Sequence, residues 1–288
     1  LPALIDRTRL ESAFAWAAAR YHRCDICAER CGVDRYASPS GTCGLGLGAR
    51  VYKEYLHLGE ERRLTPSHTI YLTGCSFRCA FCSDWNQVKS PLEHGLELPA
   101  ELLATRIAQR RKEGAQNVNF VGGVPDVNLL YILEVLLHCP ADTRVVWNTN
   151  HWTTHETLAH LDGIVSLWLS DLKFGNDVCA KKLARIDRYF ETVTSTLLPL
   201  PPSKLLLRHL LMPGHLDCCT KPALSWIATH MPLAPVNLMT GYLPFQLARS
   251  KDHPLSHRNP PAEISEALAF FAGLPLADRM VDGVEWSP

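Results

Sequence analysis

From residue 68 onward the chain alternates short β-branched or apolar runs with longer helix-like stretches. The runs are HTIYLTG at 68–74, NVNFVGG at 117–123, RVVWNTN at 144–150, GIVSLWLSDLKF at 163–174, KLLLRHLLMPG at 204–214 and PVNLMTGYLP at 235–244. Helix-like segments fall between several of them, at 99–114, 127–137, 155–161 and 221–231. Such alternation predicts βα units on a parallel sheet. About six strands are too few for a closed eight-stranded barrel, so the expected fold is α/β, a partial (β/α)6 barrel.

Ahead of this core, residues 1–21 read as an amphipathic helix and 22–50 as an irregular Cys- and Gly-rich segment. After it, RSKDHPLSHRNPP reads as a loop and AEISEALAFFAGL as a helix packing on the core. The expected division is 1–67, an N-terminal helix with a Cys-rich metal-binding segment; 68–245, the barrel core; and 246–288, the C-terminal loop and helix.

In parallel sheets of this kind ligands sit at the C-terminal ends of the strands. The polar and Gly-rich residues fall there: GCSFRC, GGVPD, NTNHW, SDLK and MPGHLDCC follow or end the first five runs in turn. Five strand ends carrying polar or small residues predict one site on one face.

With 288 residues and 47% hydrophobic content, the chain can fill a sizeable core. Its 29 basic and 29 acidic residues cancel, which leaves no broad charge footprint for nucleic acid or an anionic membrane. No run approaches the roughly 18 apolar residues of a membrane span, and the charged first 24 residues do not resemble a signal peptide. The expectation is a cytoplasmic protein with neither a nucleic-acid nor a membrane partner.

The 11 cysteines fall in tight groups, which favours metal chelation over a disulfide framework. Cys24, Cys27, Cys31 and Cys43 supply four donors, enough to close a zinc site or to hold a [4Fe–4S] cluster. Cys75, Cys79 and Cys82 form Cys-x3-Cys-x2-Cys without a fourth cysteine following. Three thiolates on a four-iron cluster leave one iron open to another ligand. Of the rest, Cys139 and Cys179 fall at helix positions and are expected to pack. Cys218 and Cys219 follow the fifth run, where the preferred reading is an inert pair and the alternative a hydrogen donor or partner contact.

The triplet, with Phe81 immediately before its last cysteine, resembles the signature of radical S-adenosylmethionine enzymes. Over about residues 68–245 the text is most similar to the group related to pyruvate formate-lyase activating enzymes, through FCSDWNQ, GG-x-P, DLK, RHLLMPG and the VNLM ending. The resemblance implies a [4Fe–4S] cluster on Cys75, Cys79 and Cys82 whose open iron binds S-adenosylmethionine, which is cleaved reductively to a 5′-deoxyadenosyl radical. It implies a turn at Gly122 and Gly123 that approaches the methionine amine, with Val124 where the family carries an acid. Asp171 and Lys173 match DLK and are expected to hold ribose and carboxylate, Arg208 to pair with that carboxylate, and Asn148 and Asn150 to line the cavity. His151, Trp152, His209, His215 and Tyr242 fall near the same face. A low-potential donor such as flavodoxin or ferredoxin is implied. The substrate is open between a glycyl radical enzyme, a peptide and a small molecule, and a non-catalytic iron–sulfur electron carrier is the alternative function.

Overall fold

A computed structural model describes residues 4–37 and 41–287. The start of the expected first helix and residues 38–40 of the Cys-rich segment lie outside the described residues. The chain divides into two compact units, one running to Ser76 and resuming over Asn86–Trp168, the other comprising Phe77–Trp85 and Leu169–Pro288.

In the first unit, helix α1 (Arg7–Arg20) starts where the Asp6 side chain accepts a hydrogen bond from the Arg9 amide, and buries Leu10, Ala13 and Ala17 along one stripe. The Cys-rich segment leads to β1 (Val51–His57), which runs antiparallel to β2 (Ser67–Leu72). The short α2 (Trp85–Lys89) joins the two parts of the chain, and α3 (Ala100–Lys112) leads to β3 (Asn117–Gly122), parallel to β2. Then α4 (Leu129–Leu137), apolar nearly all round and almost wholly buried, leads to β4 (Val145–Thr149), parallel to β3. Helix α5 (His155–Leu161) follows, and α1 packs against α4 and α5. Glu54 on β1 accepts from Arg106 and Arg110 of α3 and from His68 of β2, tying the edge strand to the helix beneath it.

The chain passes from one unit to the other within β5 (Leu167–Asp171). The second unit continues with α6 (Asp177–Ala184), capped by the Asn176 side chain, α7 (Tyr189–Leu197) and β6 (Leu205–Leu210). A π-helical turn over Leu216–Thr220 precedes α8 (Lys221–His230). Strand β7 (Val236–Met239), α9 (Pro261–Ala272), β8 (Arg279–Val281) and β9 (Val284–Glu285) complete it. Here β6, β7 and β8 are parallel, and β9 is antiparallel to β8. Strand order follows chain order from β1 to β9 with no closing pair among the described residues. The fold is therefore α/β and its barrel is partial.

All six expected strands are present, and three more join them. Strand β1 was not anticipated because its positions are mostly half-exposed, with no clean alternation. Strands β8 and β9 are only three and two residues long, so the expected C-terminal tail of loop and helix also carries a small sheet extension. Helix α6 contains Cys179, which was expected at a helix position, whereas α7 was not assigned.

Candidate functional site

In the first unit, the backbone after β2 and the turn after β3 pack directly on each other. Gly122 has φ +104°, and a Cβ there would lie 2.3 Å from the Leu72 nitrogen. A Cβ on Gly123 would lie 1.7 Å from the Gly74 carbonyl oxygen. Both positions therefore require glycine, and the missing side chains serve contact with the backbone leading to Cys75. Asn128 locks the same junction, its Nδ2 donating to the carbonyls of Thr73 (3.0 Å) and Val124 (3.1 Å). Val124, where an acid was expected, is buried with an extended φ of −167°.

From the end of β4, Asn150 sends its Nδ2 to within 3.7 Å of Cys75 Sγ, while its Oδ1 accepts from the Trp152 amide. Asn148 is buried on the same strand end. Thr149 donates from its hydroxyl to Asp126 at 2.5 Å. Burial raises the Asp126 carboxyl above its ordinary range, against the pull of that hydrogen bond.

The N-terminal cysteines gather in the first unit as expected. Cys24, Cys27, Cys31 and Cys43 line one small cleft together with Arg35, Ser76 and Val127. Arg35 is a buried cation, fixed by the carbonyls of Gly46 and Val127 and stacked 4.1 Å over the Tyr21 ring. It is a countercharge for thiolates. A hydrogen bond shared with Cys31 raises the Cys24 thiol, and its counterpart holds the more exposed Cys31 down to about 6. The segment is pinned to the loop after β4 by an isolated bridge between Cys27 and Thr153, by the Ala28 amide on the Trp152 carbonyl, and by Trp152 Nε1 on Glu29.

In the second unit, the backbone that carries Cys79 and Cys82 is tethered on both sides. The amides of Arg78 and Ala80 donate to the carbonyls of Ala184 and Leu183 at the end of α6, and the Ala80 carbonyl accepts from the Ala248 amide. Phe81 packs edge-on against Phe174 and Tyr242 at 6.3 and 6.2 Å between ring centroids. Burial pushes the Cys79 thiol up to about 12 and the Cys82 thiol up to about 11, with Lys173 pulling both back. A bound metal ion is the kind of partner that reverses such a shift.

Asp171 at the end of β5 accepts Arg208 Nε at 2.7 Å on one carboxylate oxygen and Lys173 Nζ at 2.5 Å on the other. Burial would raise this carboxyl, but the two cations outweigh it and hold the pKa below the ordinary range. Asp171 and Arg208 are mostly buried, and Lys173 is about a quarter exposed. The Tyr189 hydroxyl accepts from the Lys173 amide at 2.7 Å, which orients the strand end. His209 lies fully buried between the Leu172 carbonyl (2.6 Å) and the Thr220 hydroxyl (2.9 Å). Burial lowers its pKa to about 4, so the ring is neutral.

Residues 69–200 match the family model described as the Radical SAM superfamily. A Methanocaldococcus jannaschii protein bearing the name "Uncharacterized protein MJ0674" is 37% identical over 254 residues, 86% of this chain and 74% of that protein. The chain belongs to the radical SAM superfamily. Two solved structures of Streptococcus suis SuiB are also similar at 13% identity, one bound to precursor peptide SuiA (TM-score 0.46) and one to S-adenosylmethionine (0.42). Each covers 68% of this chain, which spans only 42% and 44% of their lengths.

Radical SAM proteins use a [4Fe–4S] cluster and S-adenosylmethionine, and the donors present here suit both. Cys75 has an amide hydrogen-bond donor at its sulfur, Cys79 feels the charge of Lys173, and Lys173 and Arg208 meet at Asp171. Sequence reading passed over Asn128 and Tyr189. The Asn at the third position after GG-x-P and the Tyr after RIDR carry no local signature, since their partners are backbone groups far along the chain. His209 and Tyr242, which fall near the same face in the sequence, are core residues, and the Tyr242 hydroxyl donates to the Leu255 carbonyl. Cys179, expected to pack, instead lies in a group with His215, Cys218 and Cys219. Cys218 and Cys219 belong to that group, and Cys218 is exposed while Cys219 is buried.

Proposed function

We propose that this radical SAM protein cleaves S-adenosylmethionine and abstracts hydrogen from a protein substrate, a glycine of a glycyl radical enzyme being the substrate class its motifs favour. Cys75, Cys79 and Cys82 hold the cluster. Once reduced, the cluster supplies the electron that splits S-adenosylmethionine into methionine and a 5′-deoxyadenosyl radical. The electron comes from a low-potential donor such as flavodoxin or ferredoxin, since such clusters reach down to about −700 mV.

The observation that carries this reading is the Asp171–Arg208–Lys173 trio. A methionine carboxylate is an anion that the two cations gathered at Asp171 can pair with. Arg208 pairs with it, Lys173 supports it, and Asp171 orients both cations and accepts from the ribose. Gly122 and Gly123 bring backbone close to the segment leading to Cys75, and Asn150 donates to the Cys75 thiolate. Asn148 is a further polar side chain at the end of β4, and a dry site matters because an organic radical is consumed by any nearby hydrogen donor. The N-terminal quartet is a closed metal site, a second [4Fe–4S] cluster or zinc, with Arg35 balancing its charge.

The test is anaerobic. Reconstituted protein with dithionite and S-adenosylmethionine should form 5′-deoxyadenosine, and Cys79→Ala should abolish it. Adding a candidate glycyl radical enzyme should produce the glycyl radical doublet by electron paramagnetic resonance. Cofactor cleavage with no doublet, but with hydrogen exchange into a peptide or small molecule, would redirect the substrate assignment. No cleavage by the parent protein would end the reading altogether.

A further inference from the structure

The four side chains of Cys179, His215, Cys218 and Cys219 converge although no motif joins them. Their donor atoms all lie within 4.8 Å of one another. Cys179 Sγ is 3.8 Å from Cys218 Sγ, and Cys218 Sγ is 4.0 Å from Cys219 Sγ. His215 Nδ1 lies 3.7, 3.3 and 3.8 Å from the sulfurs of Cys179, Cys218 and Cys219. We propose that these four residues form a Cys3His site for a structural zinc ion, separate from both cysteine groups already described.

The geometry is that of one ion. With Zn–S about 2.3 Å and Zn–N about 2.0 Å at tetrahedral angles, sulfur–sulfur edges come to about 3.8 Å and sulfur–nitrogen edges to about 3.5 Å. The observed edges fall on both sides of those values. An iron–sulfur cubane places each cysteine on a different iron and needs wider spacing. Three soft thiolates with one imidazole select zinc over hard cations, and four protein donors leave no open position, so the role is structural.

The surroundings are built for it. His215, Cys218 and Cys219 stand at i, i+3 and i+4 around the π-helical turn, so they share one face. The Asn176 side chain caps α6 at the Cys179 amide. Its Nδ2 donates to the Cys218 carbonyl (2.5 Å) and also lies 3.4 and 3.8 Å from the sulfurs of Cys179 and Cys219. One amide thus orients three of the four ligand residues, as outer partners of metal sites do. Gly175 admits no side chain, since a Cβ would lie 2.4 Å from the Cys219 carbonyl oxygen.

The site joins the first turn of α6 to the turn after β6. Its consequence runs along α6. Cys179 stands in the first turn of that helix, and the carbonyls at its other end hold the backbone beside Cys79. The ion therefore braces the helix that anchors the cluster loop.

Exposed Cys218 makes the proposal testable on the unmodified chain. Zinc-replete protein treated anaerobically with iodoacetamide should leave Cys179, Cys218 and Cys219 unlabelled by peptide mass spectrometry, and a zinc chelator should release all three to labelling. Zinc-edge X-ray absorption should show a component with three sulfurs and one nitrogen. Cys179→Ser/Cys218→Ser should lose about one zinc per chain with iron unchanged, and amide hydrogen exchange at residues 77–82 should quicken. Rapid labelling of Cys218 in zinc-replete protein, or a Cys179–Cys218 disulfide in the peptide map, would overturn the proposal. So would iron in place of zinc at the site. Should the double variant fail to fold, the labelling of the parent chain decides.

Discussion

The Asp171 trio makes an asymmetric prediction about stability. Asp171 accepts from two cations at once, Arg208 and Lys173. At an effective dielectric near 20, a unit charge pair about 4 Å apart contributes about 4 kcal/mol, so Asp171→Asn forfeits about 8 kcal/mol of gross attraction. Much of that is offset because the carboxylate no longer has to be desolvated, and the net cost of breaking such a buried group is about 3–5 kcal/mol. Arg208→Met removes one pair but leaves Asp171 compensated by Lys173, so it should cost clearly less, about 1–2 kcal/mol. Both would be measured by anaerobic urea unfolding at matched iron and zinc content. Affinity for S-adenosylmethionine should separate from stability: Arg208→Met removes the cation proposed to pair with the cofactor carboxylate and weakens binding by about 2–5 kcal/mol, although it is the milder change for folding. If Arg208→Met destabilises the fold as much as Asp171→Asn, or if Asp171→Asn changes stability by less than about 0.5 kcal/mol, the charge reasoning fails.

Gly123→Ala puts a methyl group into the Gly74 backbone beside Cys75, so the variant should lose about four irons per chain on reconstitution, with quantitative iron analysis as the check. His209 is neutral in the fold with a pKa of about 4, below the ordinary value of 6.5. The unfolded chain therefore binds the extra proton first, and stability should fall by about 3 kcal/mol as pH drops from 6.5 to 4. His209→Gln should flatten that part of the pH–stability curve. Val124→Glu places a carboxyl at a 2%-exposed position. It should destabilise the protein by about 2 kcal/mol or more rather than improve cofactor binding, and thermal unfolding with and without S-adenosylmethionine distinguishes the two outcomes.

Local pattern determined much of this protein. The six core strands were legible because their apolar runs are bounded by turn residues, a signal contained within ten positions. The cysteine triplet and quartet stood out for a related reason, since cysteines grouped in sequence need no tertiary information to be noticed. The edge strands were not: β1 is half-exposed, and β8 and β9 are too short to carry a period. Tertiary structure alone decided the pairings across long separations. Asp171 meets Arg208 across 37 residues because β5 and β6 lie side by side, with the Leu172 amide on the Arg208 carbonyl. Cys179 meets His215 across 36 residues because the start of α6 and the π-helical turn close on Gly175. Read along the chain, Cys179 is a helix residue and Cys218–Cys219 an isolated pair. Only the register of two neighbouring strands brings them to one point, and that register is set by the packing of the whole second unit.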